Sequence, residues 1–361
     1  MPARSTLALL GVAALAPAAF AQGSDSNRMR IYGIIDSAVE TARTSGGSTN
    51  TRLTGLTWAN AASRLGFDVR EDLGGGLYAA ARLEHGFESD TGSSSSATKY
   101  FNRGSWVSLG GTWGELRVGR DYTPAFYVLS QGDINGLNLY GNAGTYAHLG
   151  PSNFVSSDNA VNYISPSVFN TVVRASITAG DESAVAPKDA GRVAGLSATY
   201  DDRTMMIGAY HMRRRDVFPA NATRTEKATL SGISARWRSD GWSLSAGAAR
   251  WNPAGPDTLA SGVVASWWLG ASLHAGIGEV RVQGGRIVRR SITAVEPRAT
   301  LYGVSYLHPL SKRTTVYASY GRLNNNERGS FQLQAGSRTI ALPVAEGIDT
   351  SGLSIGITHR F

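Results

Sequence analysis

The sequence predicts an all-β protein, a sixteen-stranded antiparallel transmembrane β-barrel, and three observations predict it. Apolar residues recur with period two along most of the chain, the spacing that sends alternate side chains to opposite faces of a strand, and no segment sustains the i, i+3, i+4, i+7 stripe of a helix. Seven tight turns alternate with eight longer polar connections, and fifteen connections join sixteen strands. The composition agrees: 43 of 361 residues are Gly, none is Cys, and charged residues are 17%, against about 25% in ordinary soluble domains. Disulfide frameworks and thiolate metal sites are excluded. A mean hydropathy of −0.16 with 42% hydrophobic residues suffices for a folded chain.

Taken in order, the chain opens on a targeting segment. Arg4, the apolar run Leu7 to Ala16 and the Ala19-Phe20-Ala21 cleavage pattern mark residues 1–21 as a cleaved secretory signal, too short to span a bilayer as a helix. No later run of 18 apolar residues exists. Removing the signal leaves residues 22–361 as one domain, about 21 residues for each strand with its connection, of which a membrane strand needs about 9 to 11.

Leu65, Phe67 and Val69 alternate with Arg64, Gly66, Asp68 and Arg70 before the turn Leu73-Gly74-Gly75-Gly76. Further turns fall at Gly110 to Gly114, Ser165-Pro166-Ser167, Asp201-Asp202-Arg203, Ser239-Asp240-Gly241, Ala275-Gly276 and Pro309 to Lys312. Val173, Ala175 and Ile177 alternate with Arg174, Ser176 and Thr178; at the C-terminus Leu353, Ile355, Ile357, His359 and Phe361 alternate with Ser354, Gly356, Thr358 and Arg360. The long connections, such as Ser89 to Thr98 and Leu323 to Gly347, are polar. Short turns at one end, long loops at the other and an apolar face opposite a Gly/Ser/Thr/Arg face are the pattern of an outer-membrane barrel. Trp113, Trp237, Trp242, Trp267 and Trp268 beside the turns would form its aromatic girdle. A secreted two-sheet β protein is the alternative, although it needs no such asymmetry of connections.

Several motifs then resemble the trimeric general porins of Gram-negative outer membranes, in particular their β-proteobacterial branch. They are Arg30-Ile31-Tyr32-Gly33-Ile34-Ile35-Asp36, Ser63-Arg64-Leu65-Gly66-Phe67, Glu71-Asp72-Leu73-Gly74-Gly75-Gly76-Leu77, Phe101-Asn102-Arg103, Gly119-Arg120-Asp121-Tyr122-Thr123-Pro124, Asp158-Asn159, Tyr163-Ile164-Ser165-Pro166, Leu310-Ser311-Lys312-Arg313-Thr314 and His359-Arg360-Phe361. Their order and spacing carry the resemblance over almost the whole mature chain. It implies a homotrimer in the outer membrane. Each barrel would be narrowed by an inward-folded third loop, here residues 121–157, and would pass small ions and hydrophilic solutes by passive diffusion.

Alternation places Arg30, Arg64, Arg70, Arg82, Arg103, Arg117, Arg174 and Arg236 on the lumen side, with Asp36, Asp68, Glu84 and Glu115. In a narrow aqueous pore fixed charges of this kind set selectivity. The resemblance sets a basic wall against acids on the loop: Arg64 and Arg103 sit in the motifs that carry its wall arginines, Arg82 joins them by sharing a face with Glu84 on the intervening strand, and Arg174 is added by alternation. Asp133 would be the loop acid. The second loop acid of the enteric pattern has no counterpart in Asp133-Ile134-Asn135-Gly136-Leu137, nor does a wall arginine near Val155 to Asp158, so anion preference is expected; Asp158 could shift the balance. Phe361 is the expected assembly signal for the outer-membrane insertion machinery.

Other signals are weaker. Gly352-Leu353-Ser354-Ile355-Gly356 fits a hydrolase nucleophile pattern but lacks the following helix. The six histidines show no metal-ligand spacing, so no metal and no cofactor are expected. Arg213-Arg214-Arg215 with Arg224 and Lys227 reads as an extracellular loop facing lipopolysaccharide rather than a nucleic-acid site. No enzyme activity is expected. A barrel with an adhesive or structural role, or one carrying a hydrolase, stands as the alternative.

Overall fold

A computed structural model describes residues 27–361 apart from 56–58, 150–153, 181–186, 219–220, 255–261, 291–294, 336–337, 340–341 and 343, so the expected leader, residues 1–21, lies outside the described residues. The strands are β1 (Arg28–Thr44), β2 (Thr49–Thr54), β3 (Arg64–Gly74), β4 (Leu77–Gly86), β5 (Gly104–Gly111), β6 (Gly114–Tyr122), β7 (Ser156–Ile164), β8 (Thr171–Thr178), β9 (Val193–Asp201) and β10 (Met205–Phe218). They continue as β11 (Asn221–Ser239), β12 (Trp242–Asn252), β13 (Val264–Ala275), β14 (Gly278–Arg289), β15 (Arg298–Pro309), β16 (Thr314–Asn325) and, after the short ribbon β17 (Gln334–Ala335) and β18 (Arg338–Thr339), β19 (Thr350–Arg360).

All pairings are antiparallel between neighbours, and β1 pairs with β19 from Ile34↔Arg360 to Thr44↔Thr350, which closes the sheet. β2 and β3 both pair with β1, at Ala38 to Arg43 and at Arg28 to Ile34, so together they make one barrel strand interrupted by residues 55–63. The result is a closed sixteen-stranded barrel. Closure matters because a lipid interior offers no partner to a free sheet edge. All seven turns fall where the sequence predicts them.

The faces divide as alternation requires. Ile31, Val39, Val107, Val118, Ile177, Leu269 and Ile355 are exposed on the outside, whereas Ser176, Ser197, Ser234, Ser245, Ser305, Ser319 and Ser354 are buried inward. The girdle needs a correction. Trp113, Trp237 and Trp242 stand exposed beside turns, but Trp268 is fully buried, stacked on Tyr146 inside the barrel at 5.8 Å between ring centres. Neighbouring Trp267 and Trp268 occupy opposite faces of one strand, so only Trp267 can face lipid. Arg213-Arg214-Arg215 also differs from expectation: the run extends β10 instead of forming a loop.

The third loop spans 123–155, since β6 runs on to Tyr122 and β7 begins at Ser156. It holds a helix, α1 (Pro124–Gly132), started by Thr123, whose hydroxyl accepts from the Phe126 N–H, and by Pro124 at the first position. A one-turn helix, α2 (Ala143–Tyr146), is capped by Asn142. The loop's buried residues, Val128, Leu129, Tyr140, Tyr146, Leu149 and Phe154, pack with Met206, Met212, Leu230 and Trp268 of the barrel interior. Apolar lumen residues are thereby covered by the loop, not left in water.

Candidate pore constriction

The inserted loop lies along one side of the lumen, with α1 against β9, β10 and β11 and the following turn reaching β14 to β16, β19 and β1. The opposite side, made by β1 and β3 to β8, carries the arginines. Arg103 donates to Glu84 Oε1 at 2.8 Å, and Arg64 stands 4.0 Å from the same oxygen. Tyr32 donates its hydroxyl to Glu84 Oε2 at 2.6 Å. One pleat lower, Asp68 takes Arg82 at 2.6 Å and Arg30 at 2.6 Å. Arg117 pairs with Glu115 at 2.9 Å and Asp121 at 3.0 Å, and lies 4.2 Å over the Trp106 ring.

Among the described residues, two arginines in this group form no ion pair with a carboxylate. Arg70 stacks on Tyr78 at 3.5 Å, and Arg174 lies 4.7 Å over the Tyr127 ring with two guanidinium nitrogens buried and unbonded. Seven of these guanidinium groups (Arg30, Arg64, Arg70, Arg82, Arg103, Arg117, Arg174) thus face four carboxylates (Asp68, Glu84, Glu115, Asp121), an excess of three positive charges to which Arg28, opposite Arg70, adds. A cavity of about 140 Å³ runs beside them, lined by Arg28, Asp68, Arg82, Trp106, Glu115 and Arg117. Asp158, which could have shifted the balance, is held by Arg120 at 2.6 Å and Lys99 at 3.3 Å. Arg236 lies on the far wall, next to the ion pair of Arg281 with Glu279.

Asp133 is not brought to the arginines. It is 1% exposed, accepting from Gln283 Nε2 at 2.9 Å and from the Leu137 N–H at 2.7 Å. Burial pushes its carboxyl above the usual range, with the Leu137 and Gln283 bonds opposing that shift. The side chain lies beneath the loop and ties it to β14, so the loop offers the lumen no exposed carboxylate. Among the described residues its less buried side chains are Phe126, Tyr127, Ser130, Gln131, Asn138 and Val155.

Three anchors were not foreseen from the sequence. Tyr140 donates to Glu40 at 2.9 Å, and Glu40 is held in turn by Arg52 at 2.6 Å. His148 stacks on Trp251 at 5.5 Å between ring centres and meets Phe331 edge-on; burial, then the charge of Arg289, lowers its pKa to about 4. Asp36, expected in the lumen, is fully buried and accepts from the Ala61 N–H, Tyr317 and Thr358, so it pins the interruption of the second strand to the wall. Ser354 lies mid-strand, paired in register with Glu40 and Ser319, without the turn that a nucleophile elbow needs. Among the described residues no cluster of three or more His, Asp or Glu could hold a metal.

A closed membrane-type barrel whose lumen is narrowed by one inserted loop and lined by fixed charge is a diffusion channel. A family model described as Gram-negative porin matches residues 6–328, and the chain belongs to that family. It is similar to outer membrane porin protein 32 of Delftia acidovorans, 28% identical over 365 residues that cover 99% of this chain and 100% of the relative. Among solved structures it resembles an anion-selective porin from Comamonas acidovorans, with a TM-score of 0.80 at 25% identity over 93% of this chain and 100% of that one. An outer membrane protein of Vibrio cholerae, solved in a trimer form, shares the fold alone, with a TM-score of 0.66 at 14% identity over 93% of this chain and 100% of that one. The protein is therefore a multi-pass β-barrel of the Gram-negative outer membrane. It passes small hydrophilic solutes and ions passively and is a channel, not an enzyme.

Proposed function

We propose that the channel prefers anions and that Arg64, Arg82 and Arg103, with Arg174 beside the loop, form its filter. One observation carries this reading: the arginine wall holds three more positive than negative charges, while the facing loop's only carboxylate, Asp133, is buried. In a confined aqueous passage an uncompensated charge concentrates counter-ions and repels co-ions. The solved relative described as anion-selective agrees with it. The test is the reversal potential of the reconstituted protein across a salt gradient. Anion preference that weakens in Arg64→Ala and Arg103→Ala and is unchanged in Asp133→Asn supports the assignment. Cation preference in the parent protein refutes it.

The working unit is a homotrimer, as the trimer form of the V. cholerae protein suggests; unheated electrophoresis would give three times the monomer mass, and a single monomer band would refute it. Its environment is outer-membrane lipid and lipopolysaccharide. Phe361 is the assembly signal read by the insertion machinery: its backbone exchanges hydrogen bonds with Gly33 at 3.1 Å while its side chain is 51% exposed. Deleting Phe361 would lower the yield of assembled protein in cells, and an undiminished yield would exclude that role.

A further inference from the structure

The outer surface carries a charge pattern that solute diffusion does not use. Four strands that rise from the periplasmic turns, β10, β12, β14 and β16, each bear an exposed, outward arginine: Arg213, Arg250, Arg286 and Arg322. Each is the ninth residue of its strand, counted from Met205, Trp242, Gly278 and Thr314. Eight steps of about 3.4 Å on a strand tilted by about 40° lift each to about 20 Å above the turns, near the top of an apolar band about 25 Å tall.

The register leads to the same placement. Arg213 lies opposite Thr229, which is opposite Asn252, and Arg250 is two residues below Asn252. The same step leads from Arg250 through Ala265 and Val288 to Arg286, and from Arg286 through Thr300 and Asn324 to Arg322. A stagger of two residues every two strands is the slope of a horizontal line on a barrel whose strands tilt by about 35°. The four arginines therefore form a level row, about 12 Å from one Cα to the next.

Its surroundings suit an anionic headgroup. Exposed aromatics adjoin the row, with Trp267 paired to Arg286 and Tyr302 to Arg322, and exposed Leu269, Val282 and Val304 lie below. Ser231, Ala265 and Thr300 leave room between the long side chains. Among the described residues Asp216, Glu226 and Glu279, the acids of β10 to β16, all fall on inward-facing positions. Within the same residues the side chains of Arg213, Arg250 and Arg286 make no ion pair or hydrogen bond, while Arg322 donates to Asn324 at 2.7 Å and meets Asp349 at 3.4 Å.

We propose that Arg213, Arg250, Arg286 and Arg322 form a docking belt for the phosphate groups of outer-leaflet lipopolysaccharide. Each stem lies along the apolar wall while its guanidinium rises to the headgroup level, where its planar fork takes phosphate in bidentate fashion. The belt rests on the outer-membrane placement and not on the ion preference of the lumen.

The test uses full-length, assembled Arg213→Gln/Arg250→Gln/Arg286→Gln, probed with purified lipopolysaccharide and with the same lipid after phosphate removal. Arg322 is kept because it holds Asp349. Loss of three charges near an anionic surface weakens binding of the intact lipid about a hundredfold, about fivefold for each arginine. The dephosphorylated lipid binds parent and variant alike. A Lys312→Gln/Arg313→Gln control in a periplasmic turn keeps parental affinity. Intact lipid held equally by parent and triple variant, dephosphorylation without effect on the parent, or an equal loss in the control would each overturn the belt. Reversal potential of the triple variant stays parental, and heat-modifiable migration verifies its fold, so failure of the belt and failure of the ion filter are read separately.

Discussion

Replacing Glu84 or Arg64 by Gln should move ion preference in opposite directions. Glu84 neutralises part of the wall through Arg103 at 2.8 Å and Arg64 at 4.0 Å, whereas Arg64 contributes its charge without a close ion pair. Glu84→Gln raises the excess of positive charge by one and Arg64→Gln lowers it by one, and both keep side-chain bulk. A monovalent ion passing about 5 Å away in water feels about 0.8 kcal/mol from one unit charge, about a fourfold change in local concentration. Anions and cations feel opposite signs, so the anion-to-cation permeability ratio should rise about sixteenfold in Glu84→Gln and fall about sixteenfold in Arg64→Gln, with the double variant near the parent. The assay is reversal potential in planar bilayers at about 0.1 M and about 1 M mean salt, where the screening length falls from about 10 Å to about 3 Å. Both shifts should nearly vanish at the higher salt. Two single variants moving in the same direction, or shifts that persist at high salt, would refute the charge-filter reasoning.

Other consequences follow from the loop anchors. Asp133→Ala removes the acceptor of Gln283 and of the Leu137 N–H; it should cost about 1–3 kcal/mol of loop fastening and appear as noisier single-channel current at an unchanged permeability ratio. Tyr140→Phe takes a hydrogen-bond donor from buried Glu40; a loss of about 1–2 kcal/mol, read as a lower melting temperature in detergent, is expected with ion preference preserved. His148 is buried neutral with its pKa lowered to about 4, against about 6.5 unfolded. Between those values only the unfolded chain takes the proton, so stability is full above pH 6.5 and falls as the pH drops toward 4, by about 3 kcal/mol. Melting followed from pH 7 to 4 should show this slope and lose it in His148→Phe; an equally steep slope in the variant would locate the titration elsewhere.

The barrel was legible because lipid outside and water inside impose one rule on every strand. Leu353, Ile355 and Ile357 set against Ser354, Gly356 and Thr358 already state it, and Gly74 to Gly76 or Asp240-Gly241 mark where the rule reverses direction. Lumen arginines were readable by the same parity. Parity says nothing about depth beneath inserted chain, so Asp36 reads as a pore charge although it is fully buried; the spacing after Gly119-Arg120 that marks Asp133 as the loop acid is equally silent on its burial under the loop. Nearness to the turns, taken without parity, groups Trp267 with Trp268 as girdle residues, where adjacency in sequence itself requires opposite faces.

What positions the loop was present in the sequence but carried no local signal. Gln283, Gly303, Gly321 and Gly352 are cross-strand neighbours on β14, β15, β16 and β19. A side chain at any of the three glycines would collide with Tyr140, at its carbonyl, its Cβ or its hydroxyl end. Each glycine alone resembles the many others in small-residue strands. Only the register joins them into a bare track that lets the Tyr140 ring lie flat and reach Glu40. Gln283, at one end of the track, holds both Asp133 and the Gly141 carbonyl at 2.7 Å. Loop position, and with it the width of the passage beside Arg64, Arg82 and Arg103, is therefore set by the wall opposite the arginines. A substitution such as Gly321→Ala should lift the loop toward the filter and lower conductance while leaving the sign of selectivity unchanged. Parental conductance in that variant would show that the loop tolerates the displacement.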